Sequence, residues 1–196
     1  MKLNEEHGKM LLKYVRENLT SYIKTKKEIP VPEELQKLFA EKQGAFVTYK
    51  KKNQGELDLR GCIGIVLPYY PLFETIKKMS IAAAVEDPRF PPIKESELDK
   101  IVIEISVLTV PEPIVVNTPE DYLSKIKIGV DGLIVKKGSH SGLLLPQVPI
   151  EQTPVWDVKT FLEHTCQKAW LPKDAWKDIN NTKIEKFQAK IFNEEH

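Results

Sequence analysis

The stretch from Gly44 to Leu67 constrains the fold more than any other part of the chain. GAFVTY is aromatic and β-branched, KKNQGE is polar and carries Gly55, and LDLRGCIGIVL is apolar again. Two strand-like segments around a glycine-bearing turn read as a hairpin, with strands over 44–49 and 57–67. Strands joined this tightly run antiparallel. Lys50, Lys51 and Lys52 fall where the turn is expected and read as solvated charges.

The remaining segments extend this pattern without turning it into a βαβ alternation. Leu3, His7, Met10, Leu11, Tyr14, Val15, Leu19, Tyr22 and Ile23 recur at helical steps, so the chain opens with an amphipathic helix that needs a body to pack on. Ile29-Pro30-Val31-Pro32 breaks the pattern, and a short helix is expected over 33–39. Pro71 opens a helix that Asp87-Pro88 ends, followed by a loop over 88–98. IVIEISVLTV at 101–110 is a strand with Ile101, Ile103, Ile105 and Val107 on one side. Thr118-Pro119-Glu120-Asp121 carries a helix-start pattern with Thr118 as cap. A second hairpin is expected over 128–145. Asp157 is placed to cap a helix with Val158, Phe161, Leu162, Thr165, Cys166 and Ala169 on its apolar stripe. The last segment alternates as a closing strand, with Phe187, Ala189 and Ile191 against Gln188 and Lys190. Hairpins with inserted helices predict an α+β fold: a largely antiparallel sheet flanked by helices. No glycine-rich phosphate loop follows a strand.

Several function classes are disfavoured at once. Lys and Arg number 29 against 28 Asp and Glu, a net charge of +1, so no global field draws in nucleic acid or an anionic surface. The apolar runs GCIGIVLP and IAAAV fall far short of the roughly 18 residues a membrane helix needs. MKLNEEHGKM lacks the apolar stretch of a signal peptide, and two cysteines do not make a disulfide framework. A cytoplasmic protein with reduced thiols and no membrane partner is expected.

One cysteine sits between glycines in LRGCIG at 59–64. Strict alternation puts Leu57, Leu59, Gly61, Ile63 and Ile65 on the core face and Asp58, Arg60, Cys62, Gly64 and Val66 on the other. Same-face neighbours lie about 7 Å apart, so the Arg60 guanidinium would favour the Cys62 thiolate. Gly61 and Gly64 leave room for another backbone or a ligand. Three readings of Cys62 stand side by side: a packed small residue, a ligand contact, or a nucleophile. Cys166 lies on an apolar helix stripe and reads as core. His164 and Cys166, two apart on a helix, do not chelate one ion easily, and no metal signature is found. GSHSG at 138–142 has His140 where a nucleophile elbow has Ser, in a hairpin rather than between strand and helix, and is rejected. Glu86, Asp87, Arg89 and Phe90 gather where a helix gives way to a proline-rich loop, a grouping suited to gripping a polar planar ligand or to a plain helix stop.

These residues carry a resemblance to a known family. GAFVT at 44–48, LRGCIG at 59–64, DPRFPP at 87–92, IEISVL at 103–108, GLLLPQV at 142–148 and WDVKTFLEHTCQKA at 156–169 together resemble the AMMECR domain family, from about residue 5 to 193. The resemblance implies a single domain over 1–196 with a larger and a smaller lobe and a cleft between them. It further implies that Arg60, Gly61, Cys62, Gly64, Asp87, Arg89, Phe90, Pro146 and Gln147 gather there. It names no reaction and no cofactor. It implies a possible partner of Memo type or radical SAM type, because some family members are similar in context to a system containing both.

Two functional readings follow. In one, the protein is an enzyme on a small anionic or nucleotide-like substrate, with Arg60 and Arg89 holding the anion, Cys62 as nucleophile or redox thiol, and Asp87 or Glu86 as base. Its weakness is that no histidine is argued to lie beside Cys62. In the other, the same residues form a non-catalytic module for a ligand or partner. RNA or DNA binding through Lys50–Lys52 and the arginines is a weaker third, opposed by the balanced charge.

Overall fold

The computed structural model describes residues 3–194. The chain divides into two compact units: one takes the chain up to Leu108 and again from Lys190, and the other is Thr109–Ala189.

The first unit opens with α1 (Glu5–Thr25), followed by α2 (Glu33–Leu38), β1 (Ala45–Asn53), β2 (Glu56–Ile65), α3 (Leu72–Val85) and β3 (Ile101–Leu108). Asn4 caps α1 in a reciprocal box with His7, and Lys26 closes it in a left-handed conformation at φ 59. β1 pairs antiparallel with β2 on one side and β3 on the other. One face of this sheet presents Val47, Tyr49, Ile103 and Ile105, all fully buried against Leu11, Val15 and Leu19 of α1 and Ile76 of α3. The polar groups that this packing buries are paired. The Tyr49 hydroxyl donates to Ser80 O at 2.7 Å, and Asn18 Nδ2 donates to Ser80 Oγ at 2.9 Å.

The second unit contains β4 (Glu112–Pro113), α4 (Asp121–Lys125), β5 (Asp131–Lys137), β6 (His140–Leu144), α5 (Val158–Lys168) and most of β7 (Lys183–Asn193). β4 and β5 both pair antiparallel with β7, and β6 pairs with β5. Asp157 caps α5 by accepting from Thr160 N at 2.7 Å. Its inner face adds Phe161, Leu162 and Cys166 to a core with Leu133, Val135, Trp176 and Ile184. The fold class is α+β with an antiparallel sheet, as the hairpin pattern predicts. No helix among the described residues is long and apolar enough to cross a membrane.

Four local expectations need correction. The lysine run is strand rather than turn: β1 continues to Asn53 and only Gln54 and Gly55 turn the chain. Lys50 and Lys51 are held by Glu104 and Glu97. The expected loop over 88–98 runs into a 3₁₀ turn at Glu95–Lys100, built by Glu97 accepting from Lys94 N–H. Thr118 does not cap α4. Its hydroxyl donates to Asp121, whose carboxylate also accepts from the Asn117 and Thr118 N–H groups, so Thr118–Glu120 form a turn ahead of the helix. In β7 the core residues are Ile184 in one unit and Phe192 in the other, with Ile191 exposed; Phe187 is buried on the opposite face, over Gly132.

Candidate functional site

The signature strand β2 departs from alternation at Arg60. Tyr49 faces Gly61 in the β1–β2 register, but Lys50 faces Leu59, so Arg60 is the extra residue of a β-bulge. The bulge reverses the parity below Gly61. Leu57 and Leu59, expected in the core, are 37% and 42% exposed, while Arg60 is 9% exposed. Arg60 is therefore not the neighbour of Cys62. Its Nε and Nη2 fork onto the two carboxylate oxygens of Glu97 at 3.1 and 3.0 Å, and Nη2 also donates to Pro92 O at 3.3 Å. Lys51 completes the cluster at 2.9 Å from Glu97. The Arg60 guanidinium, helped by Lys51 and the Lys94 N–H, holds the Glu97 carboxyl down at about 2. Arg60 Nη1 is buried without a partner.

The two glycines of the motif are filled by the chain itself. A Cβ on Gly61 would overlap the Ala83 carbonyl oxygen of α3, and one on Gly64 would overlap the Phe46 ring and crowd Ala45 O. Gly61 thus lets helix and strand backbones touch, and Gly64 gives Phe46 its seat.

Cys62 sits in a row across three strands. Cys62 of β2, Thr48 of β1 and Glu104 of β3 are direct register partners and share one sheet face. The Thr48 hydroxyl donates to Cys62 Sγ at 3.1 Å, and Lys50, next on that face of β1, reaches Glu104 at 2.8 Å. Ser106, two residues beyond Glu104 on the same face, is 1% exposed and its Oγ has no partner. Burial pushes the Cys62 thiol up. The Thr48 hydrogen bond and Arg89 oppose that rise, while Glu104 and Asp87 add to it.

The loop after α3 reaches the outer edge of β2 and pairs with it through side chains. Asp87 Oδ2 accepts from the Cys62 N–H at 2.9 Å, and Arg89 Nη2 donates to the Cys62 carbonyl at 3.3 Å. The same carboxylate takes Arg89 Nε on Oδ1 at 3.0 Å and Nη2 on Oδ2 at 2.7 Å. An acid and an arginine two residues apart thus supply the hydrogen bonds that a further strand would supply. Asp87 is buried, and the Arg89 guanidinium holds its carboxyl far below the usual carboxylate range. Asp87 in turn raises the Arg89 guanidinium still further. The Arg89 side chain stays 55% exposed, its Nη1 donates to nothing among the described residues, and its carbon centre lies 5.5 Å from the half-buried Phe90 ring.

Of the sequence candidates, Cys62, Asp87, Arg89 and Phe90 come together, and Arg60 turns instead to Glu97. Pro146 and Gln147 lie in the second unit, just after β6. Pro146 is buried, and Gln147 Oε1 is buried without a partner. Cys166 is fully buried in that unit's core, where desolvation pushes its thiol up to about 11, and His164 stacks on Trp156 at 4.0 Å. Among the described residues no cluster of His, Cys, Asp and Glu is placed to hold a metal ion. Sequence reasoning singles out none of Thr48, Glu104, Glu97 and Ser106, and takes Lys50 only as part of a basic run. Thr48, Glu104 and Ser106 lie inside the GAFVT and IEISVL motifs, but only cross-strand register shows what they face, and Glu97 comes from the 3₁₀ turn, whose contact with β2 leaves no periodicity.

An antiparallel α+β protein whose RGCIG strand is bulged at the arginine and edge-braced by a D-P-R turn is a specific class of molecule. The AMMECR1 family profile matches residues 12–192, and the chain belongs to that family. It is 50% identical over 196 residues to protein PYRAB00100 of Pyrococcus abyssi, covering all of this chain and 94% of that one. A protein of Methanothermobacter thermautotrophicus is 45% identical over 193 residues, covering 98% of this chain and 97% of its own. The crystal structure of the uncharacterised protein PH0010 from Pyrococcus horikoshii superposes with a TM-score of 0.91 at 49% identity, over all of this chain and 95% of that one.

Proposed function

We propose that this protein binds a small molecule with an anionic group at the Arg89–Phe90 corner of the signature strand, and that Cys62 performs no bond chemistry in the resting protein. The observation that supports this reading is the state of Arg89. Asp87 and the Cys62 carbonyl fix its guanidinium, yet the side chain is 55% exposed and Nη1 is unused among the described residues. Fixing a long side chain before the ligand arrives removes the cost of ordering that side chain on binding. A planar guanidinium beside an aromatic ring offers an anion a charged edge and the rest of the ligand an apolar one. Cys62 is set up poorly for attack, because burial pushes its thiol up and the two carboxylates that act on it, Asp87 and Glu104, are committed to Arg89 and Lys50.

Calorimetric titration with inorganic phosphate and with a nucleoside monophosphate tests the reading. Binding is expected, with Arg89→Lys weakening it about tenfold, since an ammonium cannot be held in a fork by Asp87. Absence of binding by either anion, or equal binding by Arg89→Lys, would overturn it. A second reading rests on Leu57 and Leu59, which the bulge turns out to solvent along the edge strand. These would anchor a protein partner, of Memo or radical SAM type if the resemblance holds. Leu59→Asp abolishes capture of such a partner under that reading and leaves anion binding alone.

A further inference from the structure

The second unit carries a pocket that plays no part in the site above. It has a volume of about 340 Å³ and lies where the chain leaves β4 and runs beside the start of β7. The walls are aliphatic, from Ile114, Val116, Ile179 and Ile184. Ile114 N–H donates to Ile184 O at 2.9 Å, which pins the β4 side to the β7 side and fixes the pocket's width. Two hydroxyls interrupt this apolar lining. Thr182 is 1% exposed and its Oγ1 has no hydrogen-bond partner, although its own N–H is satisfied by Asp178 O at 2.8 Å. Tyr122 is 2% exposed, and its hydroxyl makes no hydrogen bond among the described residues. Lys183 also lines the pocket, and its ammonium has no partner among the described residues, whereas Glu185 is committed to Lys136 at 2.8 Å.

A buried hydroxyl without a partner is destabilising, and a valine of the same shape would avoid that cost. Small-ligand sites are typically apolar cavities with a few convergent polar groups, and this volume lies at the lower end of their range. We propose that this pocket is a binding site for a small aromatic monocarboxylic acid. The ring lies against the isoleucines, the carboxylate accepts from the Thr182 and Tyr122 hydroxyls, and Lys183 supplies the counter-charge. A larger or doubly charged molecule fits neither the volume nor the one unpaired cation that lines the pocket among the described residues.

The test uses benzoate with the full chain carrying labelled isoleucine methyls. Saturable shifts are expected at Ile114, Ile179 and Ile184. Thr182→Val should keep the methyl spectrum of the first unit, resist urea at least as well as the wild type, and bind benzoate about tenfold more weakly, the equivalent of about 1.4 kcal/mol. Lys183→Ala should weaken benzoate but leave neutral benzyl alcohol unchanged. The proposal is overturned by any of three results: no saturable shift up to the solubility of benzoate, unaltered affinity in Thr182→Val, or a high-resolution structure in benzoate showing only a water on Thr182. None of these outcomes bears on anion binding at Arg89.

Discussion

Two ionisable residues of the signature strand answer to different partners than their spacing implies. Cys62 answers to burial first, then to Thr48 and Arg89, while Arg60 answers to Glu97. Alkylation of the native protein against pH should therefore give an inflection above that of an ordinary thiol. Arg89→Ala should move it further up, because a cation that favours the thiolate is lost, and Arg60→Ala should leave it where it is. An inflection below the ordinary value would return Cys62 to the list of nucleophiles. Glu97 makes a second prediction. Its folded carboxyl sits at about 2 against 4.5 for a free one, so its contribution to stability is complete above pH 4.5 and is lost as pH falls toward 2. Glu97→Gln leaves the Arg60 charge uncompensated in a largely buried place and should cost about 3 kcal/mol near neutral pH. Because the glutamine does not titrate there, the difference from wild type should shrink on acidification through that window. Urea midpoints along a pH series read both effects, and a difference that stays constant down to pH 2 refutes the assignment.

At the level of elements, the most informative feature is the bulge that sequence reading could not see. Period-2 alternation located β2 and named its glycines, but alternation carries no mark of where one extra residue is inserted. The faces above the bulge were legible, since Cys62 and Gly64 do share the face away from α3, although β2 ends at Ile65 rather than at 67. Everything below it was inverted, which is why Leu59 was expected inside and Arg60 beside the thiol. The reach of Asp87 and Arg89 to the edge of β2 was legible only as a condition, since contact between a loop and a strand 25 residues earlier leaves no periodicity. The helices fared better, because a capping aspartate and an apolar stripe are local signals, as Asp157 and Cys166 show. Gly61 ties strand to helix, and its substitution tests that junction. Gly61→Ala places a methyl against the Ala83 carbonyl, a backbone atom that cannot swing aside, so β2 and α3 must separate. A loss of about 3 kcal/mol in urea unfolding is expected, against about 1 kcal/mol for Gly55→Ala at the hairpin turn, where φ is 91 but the space is open. Equal losses at the two positions would mean that α3 does not depend on close approach at Gly61.

For the molecule as a whole, the order of hairpins and helices placed the chain among α+β proteins but could not divide it, because the division falls inside a strand. β7 begins in one unit and ends in the other: Ile184 joins the core with Phe161 and Trp176, and Phe192 joins the core with Leu11 and Val15. The first unit is therefore unfinished until Phe192 and Glu194 are in place. Phe192 lies under Gly8 of α1, and Glu194 takes the Arg16 guanidinium and accepts from the Ile103 N–H at 3.0 Å. This arrangement raises the question of whether one strand makes the two cores cooperative. Phe192→Ala removes a side chain that is 3% exposed and should cost about 3–5 kcal/mol in the first core while touching nothing in the second. Amide exchange reads the two cores separately. If each holds its own stability, protection falls in α1, β1 and β3 and persists in β5 and α5. If the strand carries cooperativity, both sets fall by the same free energy, and the chain behaves as the single domain that the family resemblance implies. We expect the first pattern, because the truncated side chain belongs to one core alone. Equal loss in α5 would show that backbone continuity through β7 outweighs the separation of the cores.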